Sequence, residues 1–234
     1  MLDILRVGLA ELGLDEAKAE PLAEFARLVL EKNRVMNLTA ITDEADFARL
    51  HLLDSAALAS LPELAEPEGA RAVDVGTGAG FPGVPLRILC PGIQMTLLDS
   101  TGKRVDFLRD ACAALGLSDV ACVHARAEEF AAEGRESFDL ATSRAVAALP
   151  VLCELCLPLV RVGGRFLAMK STQSDSELSD AARAVETLGG RVARTVDYAI
   201  PTGDVTHRVI VIEKVKPTPA KYPRAFGQIK KKPL

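Results

Sequence analysis

Tryptophan is absent from this chain, and 234 residues hold only two tyrosines, three histidines and five cysteines. The tyrosines, Tyr198 and Tyr222, are followed four positions later by Thr202 and Phe226 rather than lysine. That excludes the Tyr-x-x-x-Lys pair of a short-chain dehydrogenase. His51, His124 and His207 are scattered singly, so no histidine cluster is available to hold a metal. Cys90, Cys112, Cys122, Cys153 and Cys156 are odd in number and lie mostly inside apolar runs, which argues against a disulfide framework. Cys153-Glu154-Leu155-Cys156 has a redox-like spacing but no second cysteine pair, and its Leu-rich helical setting points to core packing. There is no Gly-Lys-Ser/Thr phosphate loop and no Gly-x-Ser-x-Gly elbow. No apolar run approaches the roughly 18 residues of a membrane span. The start, Met1-Leu2-Asp3-Ile4-Leu5-Arg6, carries early charges and no signal-peptide pattern, so a cytoplasmic protein without membrane contact is expected.

What is present is an ordinary globular composition, 49% hydrophobic and 26% charged, with a formal charge of −4. The charge is unevenly spread. Seven basic residues and no acidic one lie between Lys214 and Leu234, leaving −11 on the preceding 213 residues. A basic tail on an acidic body suggests an anionic partner, although a solvated terminus explains the charge equally well.

Residues 1–60 read as helices, with Leu22, Phe25, Ala26, Val29 and Leu30 at helical spacing and a helix start at Thr42-Asp43-Glu44-Ala45. The Pro/Glu-rich stretch Leu61–Gly69 marks a boundary. Beyond it strands and helices alternate: strands at Ala70–Val75, Ile93–Leu98, Val120–His124, Phe138–Ser143 and Arg165–Met169, with helices between. Such alternation builds a parallel sheet covered on both faces. The last two strands, Arg191–Ala199 and Arg208–Val215, are joined by a short turn at Pro201-Thr202-Gly203-Asp204, so they should pair antiparallel. The expected organisation is a helical cap over 1–69, an α/β domain over 70–216 and a basic tail over 217–234.

The most informative segment is Val73-Asp74-Val75-Gly76-Thr77-Gly78-Ala79-Gly80-Phe81-Pro82-Gly83, a glycine loop between the first strand and the next helix. Glycines there let the backbone turn sharply and approach a ligand. Gly76-x-Gly78-x-Gly80, with Asp74 two residues before it, resembles the first motif of class I S-adenosylmethionine methyltransferases. Asp99 ends the second strand, where a carboxylate accepts hydrogen bonds from both ribose hydroxyls of an adenosine cofactor; capping of the following helix is its other reading. The Asn/Asp-Pro-Pro-Tyr/Phe loop of amine methylation and the Pro-Cys pair of cytosine C5 methylation are both missing. Guanine N7 offers a lone pair and loses no proton, so an acceptor of that kind needs no general base.

Further motifs extend the likeness. Asn33–Ile41, His51-Leu52-Leu53-Asp54-Ser55, Val73–Gly83, Leu97–Arg104, Ala127-Glu128-Glu129, Ser143-Arg144-Ala145 and Tyr222-Pro223-Arg224 follow in order. Together they resemble the bacterial RsmG (GidB) family, guanine-N7 methyltransferases of 16S ribosomal RNA. The resemblance implies a mostly parallel, seven-stranded Rossmann-like domain with an antiparallel C-terminal hairpin. It implies S-adenosylmethionine as cofactor and 16S rRNA or the small ribosomal subunit as partner, with no metal. Cofactor contacts are expected at Gly76, Gly78, Gly80, Phe81, Asp99, Ala127, Glu128 and Arg144, with Arg144 orienting the cofactor or a nearby phosphate. Lys103, Arg104, Lys170 and Arg224 are the expected RNA-binding cations. Ser171 after Lys170 and the segment Ala225–Lys230 depart from the family pattern. Two other functions fit the residues read alone: a methyltransferase of a small molecule or protein, and a cofactor-sensing RNA-binding module without turnover.

Overall fold

The computed structural model describes residues 1–64 and 69–234. The boundary expected at Leu61–Gly69 therefore lies partly outside the described residues. Seven strands form one sheet: β1 (Arg71–Val75), β2 (Gln94–Asp99), β3 (Val120–His124), β4 (Phe138–Arg144), β5 (Val160–Ser171), β6 (Gly190–Ala199) and β7 (Thr206–Lys214). Their order is β3-β2-β1-β4-β5-β7-β6. Strands β1 to β5 pair in parallel, as their helical crossovers require. Strand β7 runs antiparallel to both β5 and β6. The final hairpin thus folds as expected, but its second strand inserts between β5 and β6, a placement that hairpin pairing alone leaves open. β5 begins five residues before the expected start, since Val160 already pairs with Phe138 ahead of a register shift at Phe138/Leu140. Gly163 and Gly164, which read as a break in a strand pattern, accompany that irregularity.

Order reverses at β1, whose neighbours β2 and β4 lead to opposite halves of the sheet. The carboxyl ends of β1 and β4 therefore open a crevice, the usual ligand position in an open α/β sheet. Helices α5 (Gly83–Leu89), α6 (Gly102–Ala114), α7 (Ala127–Phe130), α8 (Leu149–Cys156) and α9 (Asp175–Thr187) connect the strands.

The N-terminal segment is helical throughout its main elements. Helix α1 (Leu2–Glu11) precedes α2 (Ala19–Met36), which stops where Asn37 adopts a left-handed conformation at φ 50°. Asn tolerates that region because its short polar side chain bonds locally, which fits a structural rather than catalytic role. Asp43 caps α3 (Glu44–Phe47), accepting from the amides of Ala45 and Asp46. The helix then widens into a π-helical stretch over Ala48–Leu53 and continues as α4 (Asp54–Ala59). Apolar residues of these helices, among them Leu22, Phe25, Phe47 and Leu52, share one buried cluster with Phe81, Leu97 and Leu167 of the α/β part. Cap and sheet are thereby held by a common core.

A second cluster on the opposite sheet face joins Val73, Phe166 and Ile210 to Leu152, Cys153 and Cys156 of α8. Cys112, Cys153 and Cys156 are buried and all five cysteines are free thiols. The C-terminal segment is strapped onto the same cluster through Tyr222 and through Ile229 of α10 (Phe226–Lys231). Arg135 donates to the carbonyls of Tyr222 and Thr218 and holds the chain on its way there. Among the described residues, no helix is long and apolar enough to cross a membrane.

Candidate active site

Asp74 sits inside the sheet at the end of β1, with no exposed surface, and one carboxylate oxygen accepts the Gly83 amide at 2.9 Å. Burial pushes its carboxyl up to about 6, against the hydrogen bonds it accepts. Asp74 thus ties the far end of the glycine loop to the strand beneath. Within the loop, Gly76 and Gly78 take φ values of 72° and 60°, a region costly for residues with a Cβ. The two differ in surroundings. A Cβ on Gly76 would come 2.5 Å from Val146, whereas one on Gly78 would meet nothing closer than a backbone oxygen 3.9 Å away. Gly78 therefore leaves space open rather than relieving a packing clash.

Asp99, 5% exposed at the end of β2, accepts the Gly78 amide at 3.0 Å with one oxygen and the Thr101 amide at 2.8 Å with the other. It fixes the glycine loop and the turn ahead of α6, whose N-cap is Thr101 without a side-chain cap, so Asp99 braces the loop rather than capping the helix. Arg104 stands 3.8 Å from the same carboxylate.

These loops border a cavity of about 460 Å³. One end is lined by Asp99, Ser100, Ala127, Glu128 and Phe226, and the middle by Gly76 to Ala79. The other end is closed by Leu38, Thr39, His51, Phe81 and Arg144. All but one of the cofactor-contact residues expected from sequence line this cavity. The exception is Gly80, which packs where a Cβ would lie 2.9 Å from Phe25, Val84 and Leu108.

The lining also includes residues outside the expected set, among them Thr39, His51 and Phe226. Thr39 and His51 lie within the two N-terminal signatures, and Phe226 lies in the tail segment that departs from the family pattern. A linear reading gives no sign that either region reaches the crevice.

Arg144 ends β4 and is held by the cap. Its Nη1 donates to the Asp54 carboxylate at 2.8 Å and the Leu50 carbonyl at 3.1 Å, and its Nη2 lies 3.0 Å from His51 Nδ1. Arginine is always protonated and has no acceptor, so His51 Nδ1 must be the unprotonated nitrogen. Burial, reinforced by the Arg144 charge, lowers His51 to about 4. Its other nitrogen, Nε2, then carries the proton and donates to Thr39 Oγ1 at 2.8 Å. The ring stacks on Phe81 with centroids 4.7 Å apart, and Arg144 lies 5.2 Å from the same ring. Asp54, 1% exposed, also accepts from Tyr198 at 2.7 Å and His207 at 2.8 Å. Burial would raise its carboxyl, but His207 and Arg144 outweigh it and hold Asp54 below the usual range. The same hydrogen bond raises His207. Arg144 is thus both salt-bridged to Asp54 and a lining residue of the cavity.

The expected RNA-binding cations do not share one environment. Lys103 is exposed and Arg104 lines the cavity. Lys170 turns inward, donating to the Ala147 carbonyl and pairing with Glu177 at 2.6 Å. Arg224 also points inward and makes a paired contact with Glu154, which has no exposed surface. Exposed charge near the cavity comes instead from Arg126, whose guanidinium lies 5.6 Å from the Phe226 ring, and from Lys230, Lys231 and Lys232 just beyond it. Among the described residues, no group of three or more His, Cys, Asp or Glu is placed to hold a metal ion.

The sheet order, the switch point at β1 and the glycine loop beside Asp99 define a class I methyltransferase fold. Its match to M. jannaschii TYW2, solved in complex with AdoMet, has a TM-score of 0.53 at 13% identity, covering 65% of this chain and 73% of that one. The family model described as rRNA small subunit methyltransferase G, GidB, matches residues 18–203. A protein of that name from Alkaliphilus oremlandii is 47% identical over 99% of this chain and 98% of its own length. One from Alkaliphilus metalliredigens is 46% identical over 99% and 98%. The chain belongs to the rRNA small subunit methyltransferase G family and is a methyltransferase.

Proposed function

We propose that this enzyme transfers the methyl group of S-adenosylmethionine to N7 of a guanine in 16S rRNA of the small ribosomal subunit. The cavity fits the cofactor in size and chemistry. Its volume lies in the range of small-molecule sites. Gly78 leaves backbone and open space for a ligand to approach, and the Asp99 carboxylate faces the same space with acceptor capacity for hydroxyl groups. Gly76 and Gly78 would hold the methionine end, Asp99 the ribose, and Ala127 and Glu128 the adenine. When bound, S-adenosylmethionine supplies an electrophilic methyl on a sulfonium sulfur.

The protein's contribution is orientation and charge balance. Methyl transfer is an in-line displacement, so the gain comes from holding the acceptor lone pair against the methyl. Positive charge builds on a purine whose N7 attacks the methyl as the bond to sulfur breaks. The Arg144 guanidinium at that end is neutralised by Asp54, which reduces its repulsion of the forming cation.

The observation that carries the N7 reading is the absence of a free base where the acceptor must sit. Among the described residues lining the cavity, Asp99 and Glu128 lie at the opposite end and His51 has both nitrogens engaged. Guanine N7 needs no proton removed. Exposed Arg126, Lys103 and Lys230 to Lys232 provide cationic surface for the phosphate backbone.

The test supplies purified protein and methyl-labelled S-adenosylmethionine with unmodified 16S RNA and with small subunits, then maps the label by strand cleavage specific for 7-methylguanine. One cleaved guanine is expected. Label elsewhere in the RNA overturns the N7 assignment, and no label despite measured cofactor binding overturns the RNA reading.

A further inference from the structure

Adenine and guanine both present N7, so a transferase acting there must tell them apart by the neighbouring group. On that edge guanine offers the O6 acceptor, whereas adenine offers an N6 amino donor. A protein donor that lacks any other acceptor would therefore favour guanine and leave adenine facing it donor to donor.

Thr39 meets that description. Its hydroxyl oxygen accepts the Ile41 amide at 3.1 Å. It also accepts the Nε2 proton of His51, because Arg144 occupies the other ring nitrogen. Both lone pairs of the oxygen are then engaged, and its own proton must point in the third direction. Among the described residues no acceptor stands there, and Thr39 lines the cavity at the end closed by Arg144 and Phe81. The backbone on which it sits is clamped: Asn33 accepts the Thr39 amide at 2.9 Å and donates to the Thr39 carbonyl at 3.0 Å. A hydroxyl so fixed is an oriented donor.

We propose that the Thr39 hydroxyl selects guanine by donating to O6 of the base whose N7 takes the methyl. This rests on the guanine-N7 reading of the site. Asn33, His51 and Arg144 are positioning residues for that donor, each acting through the orientation of the one hydroxyl.

The experiment compares kcat/KM on small subunits carrying either guanine or 2-aminopurine at the mapped position. 2-Aminopurine keeps N7 and lacks O6. The wild-type enzyme is expected to prefer guanine by roughly 10- to 100-fold, the range for one buried hydrogen bond left unmade. Thr39→Ser keeps the preference. Thr39→Val, nearly the same shape without the hydroxyl, brings the two substrates within about threefold by losing rate on guanine alone. S-adenosylmethionine affinity, measured by calorimetry, is expected to stay unchanged in both variants.

Equal wild-type rates on the two bases overturn the proposal, as does a preference that survives in Thr39→Val, which would move the donor to Arg144. Should Thr39→Val fail to fold, Thr39→Cys, whose thiol is a weak donor, takes its place, and the wild-type ratio is decisive without any variant. If wild-type protein labels no guanine N7, the underlying reading fails and the proposal falls with it. A normal guanine product with no dependence on O6 sinks only the role of Thr39.

Discussion

The imidazole of His51 lies almost flat on the ring of Phe81, with centroids 4.7 Å apart and planes inclined by 13°. One residue belongs to the π-helical turn of the cap and the other to the glycine loop, so this stack joins the two halves of the site. Arg144 completes the junction by contacting both rings. The irregular helical turn at Ala48–Leu53 places His51 and Leu50 where a single guanidinium reaches both. Such π-helical turns recur at functional sites.

Removing Arg144 should act on stability and on turnover together. Arg144→Ala leaves the Asp54 carboxylate, 1% exposed, without its cationic partner. Tyr198 and His207 still donate to it, so a loss of about 3 kcal/mol is expected, at the lower end for a broken buried pair. Urea denaturation measures this, and methyl incorporation should fall in parallel. A variant as stable as wild type would mean that Asp54 is satisfied without Arg144.

Acid stability should depend on His51 between about pH 4 and 6.5. Its folded value lies near 4, below the ordinary 6.5, so in that window the unfolded chain binds a proton that the native protein refuses. Stability from this group therefore rises with pH, by on the order of 3 kcal/mol across the window. Asp74 works in the opposite sense, because burial raises it to about 6 and the native state keeps a proton that the unfolded state has released. The contribution of His51 is isolated by difference. His51→Gln supplies an acceptor for Arg144 and a donor for Thr39, and the stability gap between wild type and variant should widen in favour of wild type from pH 4.5 to pH 7. A gap independent of pH would contradict the assignment of His51 as neutral.

The glycine loop separates binding from folding. Gly78→Ala places a methyl group in open cavity at φ 60°, costing about 1 kcal/mol of stability through backbone strain. S-adenosylmethionine affinity should drop at least tenfold, as the methyl occupies ligand space. Asp99→Ala removes the acceptor of both Gly78 and Thr101 and should also weaken binding at least tenfold. Calorimetric titration of each folded variant decides, and an unchanged affinity in Asp99→Ala would sink the ribose assignment.

Arg224 should prove to be a structural residue. Its guanidinium makes a paired contact with Glu154, which has no exposed surface, so Arg224→Ala strands a buried carboxylate and should cost about 3–5 kcal/mol. Replacing Lys230, Lys231 and Lys232 by Gln should leave stability within about 0.5 kcal/mol, as for ordinary surface changes. That triple change should instead flatten the salt dependence of RNA binding. The reverse pattern would return Arg224 to the RNA surface.

Much of this protein was legible in its sequence because the governing interactions are local. Strand and helix periods, the glycine loop after β1, the acidic residue ending β2 and the short turn before β7 each depend on neighbours a few residues away. The inward course of Lys170 and Arg224 was not legible, since their partners Glu177 and Glu154 lie on other elements and a charged side chain read alone looks solvated. Nor was the insertion of β7 between β5 and β6, because a hairpin turn specifies one pairing partner and leaves the second to packing. The network around Asp54 makes the same point most fully. It draws together Arg144, Tyr198 and His207, residues 90 to 153 positions away, and no periodic pattern encodes contacts of that range. Local backbone preference and hydrophobic period are enough to set the class of sheet and the end at which its crevice opens. Which cap residues close that end is set by long-range packing, because burying a charge requires partners that the fold alone brings within reach.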